Sequence, residues 1–178
     1  ADEARILYIG ERVGHGRPDS GERDGERSYP KIDIALDPLE GTTITAKAGQ
    51  NALAVLAIAE QGCLLNAPDV YMDKLAIGPG YPDGVIDLAR GPSDNIRAIA
   101  SAEGVDPSEV IGCVLDRPRH AALIAELRGL GCGINLIPDG DVAGVIAVTD
   151  PDTTIGVYMG QGGAPEGVLA GAGLGCGG

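Results

Sequence analysis

Asp37 and Glu40 stand three residues apart in Asp37-Pro38-Leu39-Glu40, and Gly41, Thr42 and Thr43 follow directly. The run comes after an apolar stretch at 32–36 that predicts a buried strand. A strand ending in Asp delivers that carboxylate to a fixed point at a sheet edge, and Glu40 can turn back to the same point. Paired carboxylate oxygens are what hard divalent cations take. Gly41 lets the backbone come close, and the Thr hydroxyls and N–H groups can hold a phosphate oxygen or a water. Those parts suit a metal-dependent phosphate hydrolase. The same residues also make an ordinary turn opening, since Asp-Pro with a nearby Gly is common loop chemistry.

Three further groups have chemical potential. Arg117-Pro118-Arg119-His120 follows an apolar run at 110–115 and opens a helical pattern. Guanidiniums beside helix N-terminal amides make a phosphate clamp, and Arg at a helix N-terminus otherwise opposes the dipole. They could equally be solvated helix-start charges, with His120 structural or solvent-facing. Asp139-Gly140-Asp141 sits where an N-cap is expected; a cap explains one carboxylate, and the other could accept hydrogen bonds from sugar hydroxyls. Gly160-Gln161-Gly162-Gly163-Ala164-Pro165-Glu166-Gly167 reads as a Gly-rich turn into a Pro-started helix, an arrangement that cradles phosphate. It is not a Walker A loop, because no Gly-Lys-Ser/Thr follows. Glu166 suits the helix dipole and could also reach a cation beside Asp37 and Glu40.

The elements that must position these groups fall into two textures. Residues 1–92 read as strand-rich and antiparallel, with strands at 6–9, 32–36, 51–59, 71–77 and 85–88, and an exposed polar loop at 15–31. Residues 93–178 alternate helix and strand: a helix from Ser93-Asp94-Asn95 to about 102, a strand at 110–115, and a helix from Pro118 to 128. A strand at 134–137, a short helix at 142–148, a strand at 155–159 and a helix begun by Pro165 follow. That alternation predicts a parallel sheet with crossover helices, so the fold class is α/β, with ligands gathering beyond the strand C-termini.

The composition bounds the rest. With 178 residues, five Tyr and no Phe or Trp, the chain has room for one core, built from Ala, Val, Ile and Leu. A net charge of −13 argues against nucleic acid as a partner, although bound cations would let a small phosphorylated ligand approach. Cys63, Cys113, Cys132 and Cys176 show neither a C-x-x-C nor a zinc-ligand spacing, as expected of free thiols in a reducing cytoplasm. The longest apolar run, 52–59, is too short to span a bilayer. A start at Ala1 and the Gly-rich end at 171–178 lead us to expect a piece of a longer chain.

DPLEGTT together with Tyr8-Ile9-Gly10-Glu11, the 51–57 run, Asn66-Ala67-Pro68-Asp69, Tyr71-Met72, Pro118-Arg119-His120, PDGDVA at 138–143 and GGAPEG at 162–167 resembles class II fructose-1,6-bisphosphatases. These belong to the lithium-sensitive sugar and inositol phosphatase superfamily. The resemblance covers nearly the whole chain outside 15–31, and implies a layered α/β sandwich of the sugar-phosphatase type, truncated at both ends. It implies metal-dependent hydrolysis of the 1-phosphate of fructose 1,6-bisphosphate, with Mn²⁺ or Mg²⁺ as cofactor and a homo-oligomer as the full-length form. Asp37, Glu40 and Glu166 match metal ligands, Gly41 and Thr42 phosphate-side contacts, and Thr42 a group that polarises the attacking water. Tyr71, Arg117, Arg119, Asp139, Asp141 and Gly163 match substrate contacts, and Asp2 an acid that helps activate water. Further acidic ligands that the family draws from an N-terminal helix and a Gly-Glu-Gly-Glu stretch do not lie in this chain. The alternatives are sedoheptulose 1,7-bisphosphate as substrate, an inositol monophosphatase-like activity, or a fragment that binds sugar phosphates without turnover.

Overall fold

The computed structural model describes residues 30–177. The strand expected at 6–9, the acid Asp2 and nearly all of the loop at 15–31 lie outside the described residues. Two sheets organise what is described. Strand β1 (Ile32–Glu40) and strand β2 (Leu53–Glu60) form an antiparallel ribbon, joined through the short helix α1 (Thr42–Ala46). Strands β3 (Tyr71–Ile77), β4 (Ile111–Leu115), β5 (Gly133–Ile137) and β6 (Val157–Gly163) form a second sheet in the order β3-β6-β4-β5. Its β4 pairs in parallel with both β5 and β6, while β3 runs antiparallel to β6. The chain is thus a mixed α/β protein. Strand β3, grouped by the sequence with the first half, belongs to the second half's sheet.

Both faces of the four-stranded sheet are covered, which is why its central β4 is apolar at successive positions. Helices α2 (Pro92–Glu103) and α3 (Ala121–Gly129) cover one face, where Ile96, Ile99 and Leu127 pack with Val114, Val157 and Met159. Helices α4 (Asp141–Ile146) and α5 (Ala164–Gly177) cover the other. There Ala76, Cys113 and Tyr158 alternate out of the strands to meet Val142, Val145, Leu169 and Ala170. The ribbon lies beyond this second helical layer and adds Ala35, Val55 and Ala57 to the same cluster. Tyr158 is the largest fully buried side chain, so the core is not purely aliphatic as its composition suggested. No helix among the described residues is long and apolar enough to cross a membrane.

Several expectations are corrected. The strand at 32–36 extends to Glu40, and it is not buried on both faces: Ile32, Ile34 and Leu36 are exposed. Residues 85–88 form turns because the Asn95 side chain takes both the N–H and the carbonyl of Asp87, leaving no ladder partner there. The Gly-rich stretch at 160–163 is strand rather than turn, paired residue by residue from Lys74↔Gly160 to Tyr71↔Gly163. The Gly-rich end does continue a helix, since α5 buries Leu169 and Ala170 against the core, and packing outweighs poor helix propensity.

Candidate functional site

The C-terminal ends of β4, β5 and β6 lead into Arg117, Asp139 and Glu166, so the topology gathers the predicted groups at one sheet edge. The ribbon supplies Glu40. A register shift between Asp37 and Glu40 marks a bulge at Pro38-Leu39, where Pro lacks the N–H that a regular ladder would need. The bulge leaves Leu39 exposed and turns Glu40 inward, where it is 4% exposed. Asp37 Oδ1 accepts the Leu39 N–H at 3.0 Å within the bulge. Gly41 follows with φ +94°, a left-handed conformation that starts α1 and favours glycine.

Glu40 reaches across to α4, where its Oε1 accepts the Val142 N–H at 3.0 Å. It does the work of a helix cap: Gly140 is the N-cap residue and offers no side chain, and neither Asp139 nor Asp141 caps the helix as the sequence suggested. Glu40 Oε2 is buried without a hydrogen-bond partner. Burial pushes the Glu40 carboxyl up to about 7, against the lowering effect of the Val142 N–H. The charges of Asp141, Asp37 and Asp139 add to the rise, so these carboxylates share one neighbourhood.

Asp139 ties α1 to the sheet: its Oδ2 accepts the Thr43 N–H at 2.8 Å, and its Oδ1 lies 3.1 Å from Arg117 Nη2. Thr43, rather than the exposed Thr42, therefore makes the backbone contact to an acid here. The two arginines diverge. Arg119 donates from Nε and Nη2 to the Gln161 carbonyl, at 3.0 and 2.8 Å, and its guanidinium lies 4.8 Å from the Tyr71 ring centre. His120 is buried, and is structural rather than solvent-facing. Its Nε2 accepts the Gln161 N–H at 2.8 Å, which leaves Nδ1 to donate to the Leu115 carbonyl at 2.8 Å.

Asp141, in the first turn of α4, forms a buried ion pair with Lys74 of β3. Nothing in the local pattern marks Lys74, because a lysine within a strand reads as a solvent-facing position. Gly163 and Glu166 meet at the start of α5: Glu166 Oε2 is buried and unpartnered, and lies where a side chain at position 163 would begin.

The metal expectation is met only partly by the geometry. Among the described residues no three His, Cys, Asp or Glu side chains converge as a donor set, so Asp37, Glu40 and Glu166 do not close around one point. The two orphaned carboxylate oxygens, on Glu40 and Glu166, nonetheless fit a hard cation, which takes oxygen ligands and relieves buried negative charge.

The family described as bacterial fructose-1,6-bisphosphatase, glpX-encoded, matches residues 1–178 of the chain. The chain belongs to this family. Among similar proteins, fructose-1,6-bisphosphatase 1 class 2 of Escherichia coli (strain K12) is 50% identical over 171 residues, which is 96% of this chain and 47% of that protein. Fructose-1,6-bisphosphatases class 2 of Escherichia coli O6:H1 and of Shigella flexneri match to the same extent. The chain spans about half the length of the curated relatives it matches. Lys74 is the neighbour of these groups that motif reading passed over, while Thr43, His120 and Gln161 lie inside the motifs but make contacts that the motifs did not specify. Each acts through a backbone contact or a buried partner, and no local spacing marks either.

Proposed function

We propose that the protein to which this chain belongs hydrolyses the 1-phosphate of fructose 1,6-bisphosphate, releasing fructose 6-phosphate and inorganic phosphate. Membership of the bacterial fructose-1,6-bisphosphatase family supports the reaction class. The observation that carries the site assignment is the pair of buried, unpartnered carboxylate oxygens on Glu40 and Glu166, at the strand edge that also presents Arg117 and Arg119. In this reading Asp37, Glu40 and Glu166 hold Mn²⁺ or Mg²⁺, and Asp2 assists in activating water. The cation's chemistry, when it is bound, is neutralisation of the phosphoryl charge. Gly41 and Thr42 contact the reacting phosphate, with the Thr42 hydroxyl orienting the attacking water. Arg117 and Arg119 bind the distal phosphate, Tyr71 and Gly163 line the sugar site, and Asp139 and Asp141 accept sugar hydroxyls, which supplies orientation. The fold is read as one part of a layered sugar-phosphatase sandwich. A cytoplasmic setting agrees with four free cysteines.

Phosphate release from fructose 1,6-bisphosphate with Mn²⁺, compared with the Asp37→Ala variant, tests the reading. Release that requires both Mn²⁺ and Asp37 supports it, and the same assay with sedoheptulose 1,7-bisphosphate defines the sugar. If Arg117→Ala with Arg119→Ala leaves affinity unchanged, the distal-phosphate role fails. A second reading, a portion that binds sugar phosphate without turnover, is favoured by the donor set among the described residues, which does not close around one point. Binding of the bisphosphate by folded chain with no release would select it.

A further inference from the structure

We propose that Lys74 is a positioning residue of this site: by fixing Asp141 it fixes the first turn of α4, whose Val142 amide holds Glu40. The inference deepens the reading above and rests on Glu40 and Asp141 belonging to the site.

The Lys74 and Asp141 side chains are 5% and 8% exposed. Burying two charges is expensive, and hydrophobic residues of similar volume often serve stability as well or better. The pair therefore calls for a role beyond stability, and the geometry supplies one. Lys74 projects from β3 opposite Gly160 of β6, while Asp141 opens α4. Gly162 of β6 lies against both: a Cβ there would sit on Asp141 Oδ2 and 3.2 Å from Lys74 Nζ. β3, β6 and α4 are thus locked at one polar point inside an apolar layer.

Glu40 lies against the two residues that flank Asp141 and is bonded by one of them. On one side Val142 N–H donates to Oε1 at 3.0 Å. On the other, Gly140 adopts φ +85°, and Glu40 Oε2 lies 3.0 Å from where its Cβ would be. No side chain of α4's own N-cap residue anchors that turn, and α4 is six residues long. Val142 and Val145 pack α4 on the core, and the Asp141 pair fixes its first turn. Without the ammonium, the Asp141 carboxylate must leave the core or take up a proton, and either change moves the turn that holds Glu40.

Amide exchange followed by ¹⁵N NMR tests this on the chain itself, on Lys74→Met and on Lys74→Met with Asp141→Asn. In Lys74→Met the Val142 amide should exchange at least about tenfold faster relative to the core amides of Val114 and Leu127. The double variant lacks the orphaned charge, so its melting temperature and core protection should recover while Val142 stays fast. If Lys74→Met does not fold, the double variant carries the test. The proposal is overturned if Val142 keeps its protection, or if it follows the core amides in proportion in both variants. Mn²⁺-induced broadening at Val142 in the unsubstituted chain separately tests the metal reading; its absence removes Glu40 as a ligand and leaves the exchange comparison decisive for Lys74.

Discussion

Burial raises the Glu40 carboxyl from 4.5 to about 7, and this ties the stability of the metal-free chain to pH. The unfolded chain loses this proton near 4.5, while the folded chain keeps it to about 7. Between those values the folded state binds more protons, so stability falls as pH rises and levels off above 7, by roughly 3 kcal/mol in all. With EDTA present, the melting temperature should be lower at pH 8 than at pH 5, and Glu40→Gln should flatten this group's share of the slope. An equal slope in both proteins would refute the assignment. A second prediction concerns packing against the carboxylates: Gly162→Ala and Gly163→Ala each place a methyl group on an acid, Asp141 and Glu166 respectively. Each should lower stability by about 1–3 kcal/mol in urea titrations, more than an alanine placed at the unobstructed Gly129. Asp37, Glu40 and Glu166 could be named as candidates because strand, acid and glycine stand close in sequence. Lys74 could not: its partner is 67 residues away, and burial by a distant helix leaves no trace in a local pattern.

At the scale of elements, glycine carries opposite meanings in two helices. Gly144 in α4 faces the sheet, where an added Cβ would come within 2.8 Å of Ile137 Cδ1 and 2.9 Å of the Tyr158 ring. Gly171 in α5 has nothing within 4 Å. Replacing glycine by alanine in a helix gains about 1 kcal/mol of propensity, whereas overpacking costs about 1–3 kcal/mol. Gly171→Ala should therefore raise the denaturation midpoint and Gly144→Ala should lower it; a rise in both would mean that α4 does not press on Tyr158. The same weighing explains what could be read of the elements. The alternation of β4, α3, β5 and α4 was visible because periodicity and stop signals agreed there. The glycines of β6 and α5 misled, because local propensity speaks for turns and tertiary packing decides otherwise. Those of β6 admit acids and a histidine close to the strand: Gly162 lies against Asp141, and a Cβ at Gly160 would come within 3.3 Å of His120. The close approach of these side chains thus accounts for the departure from strand propensity.

At the scale of the molecule, the ribbon packs one face on α5, and among the described residues its other face is exposed. Its outward residues are in register, Ile34 opposite Ile58 and Leu36 opposite Leu56, and all are large, apolar and exposed. The sequence suggested burial because β2 is apolar at every position but its last and β1 is apolar at four of the five positions 32–36, close to the pattern of strands covered on both faces. Only the inner face, with Ala35, Val55 and Ala57, packs into a core cluster. A contiguous apolar face of this kind binds hydrophobic dyes and favours association. Ile34→Lys with Ile58→Glu replaces a directly opposed pair by complementary charges, which antiparallel strands tolerate well. Because these side chains are 42% and 58% exposed, the double variant should melt within a few degrees of the unsubstituted chain. Its anilinonaphthalene sulfonate fluorescence should fall by about half or more, since the dye's apolar platform is interrupted at its centre. Ala57→Lys, on the inner face of the same strand, is the control and should unfold the ribbon. If the outer pair proves as damaging as Ala57→Lys, that face is buried in solution and the ribbon is not the chain's outermost layer.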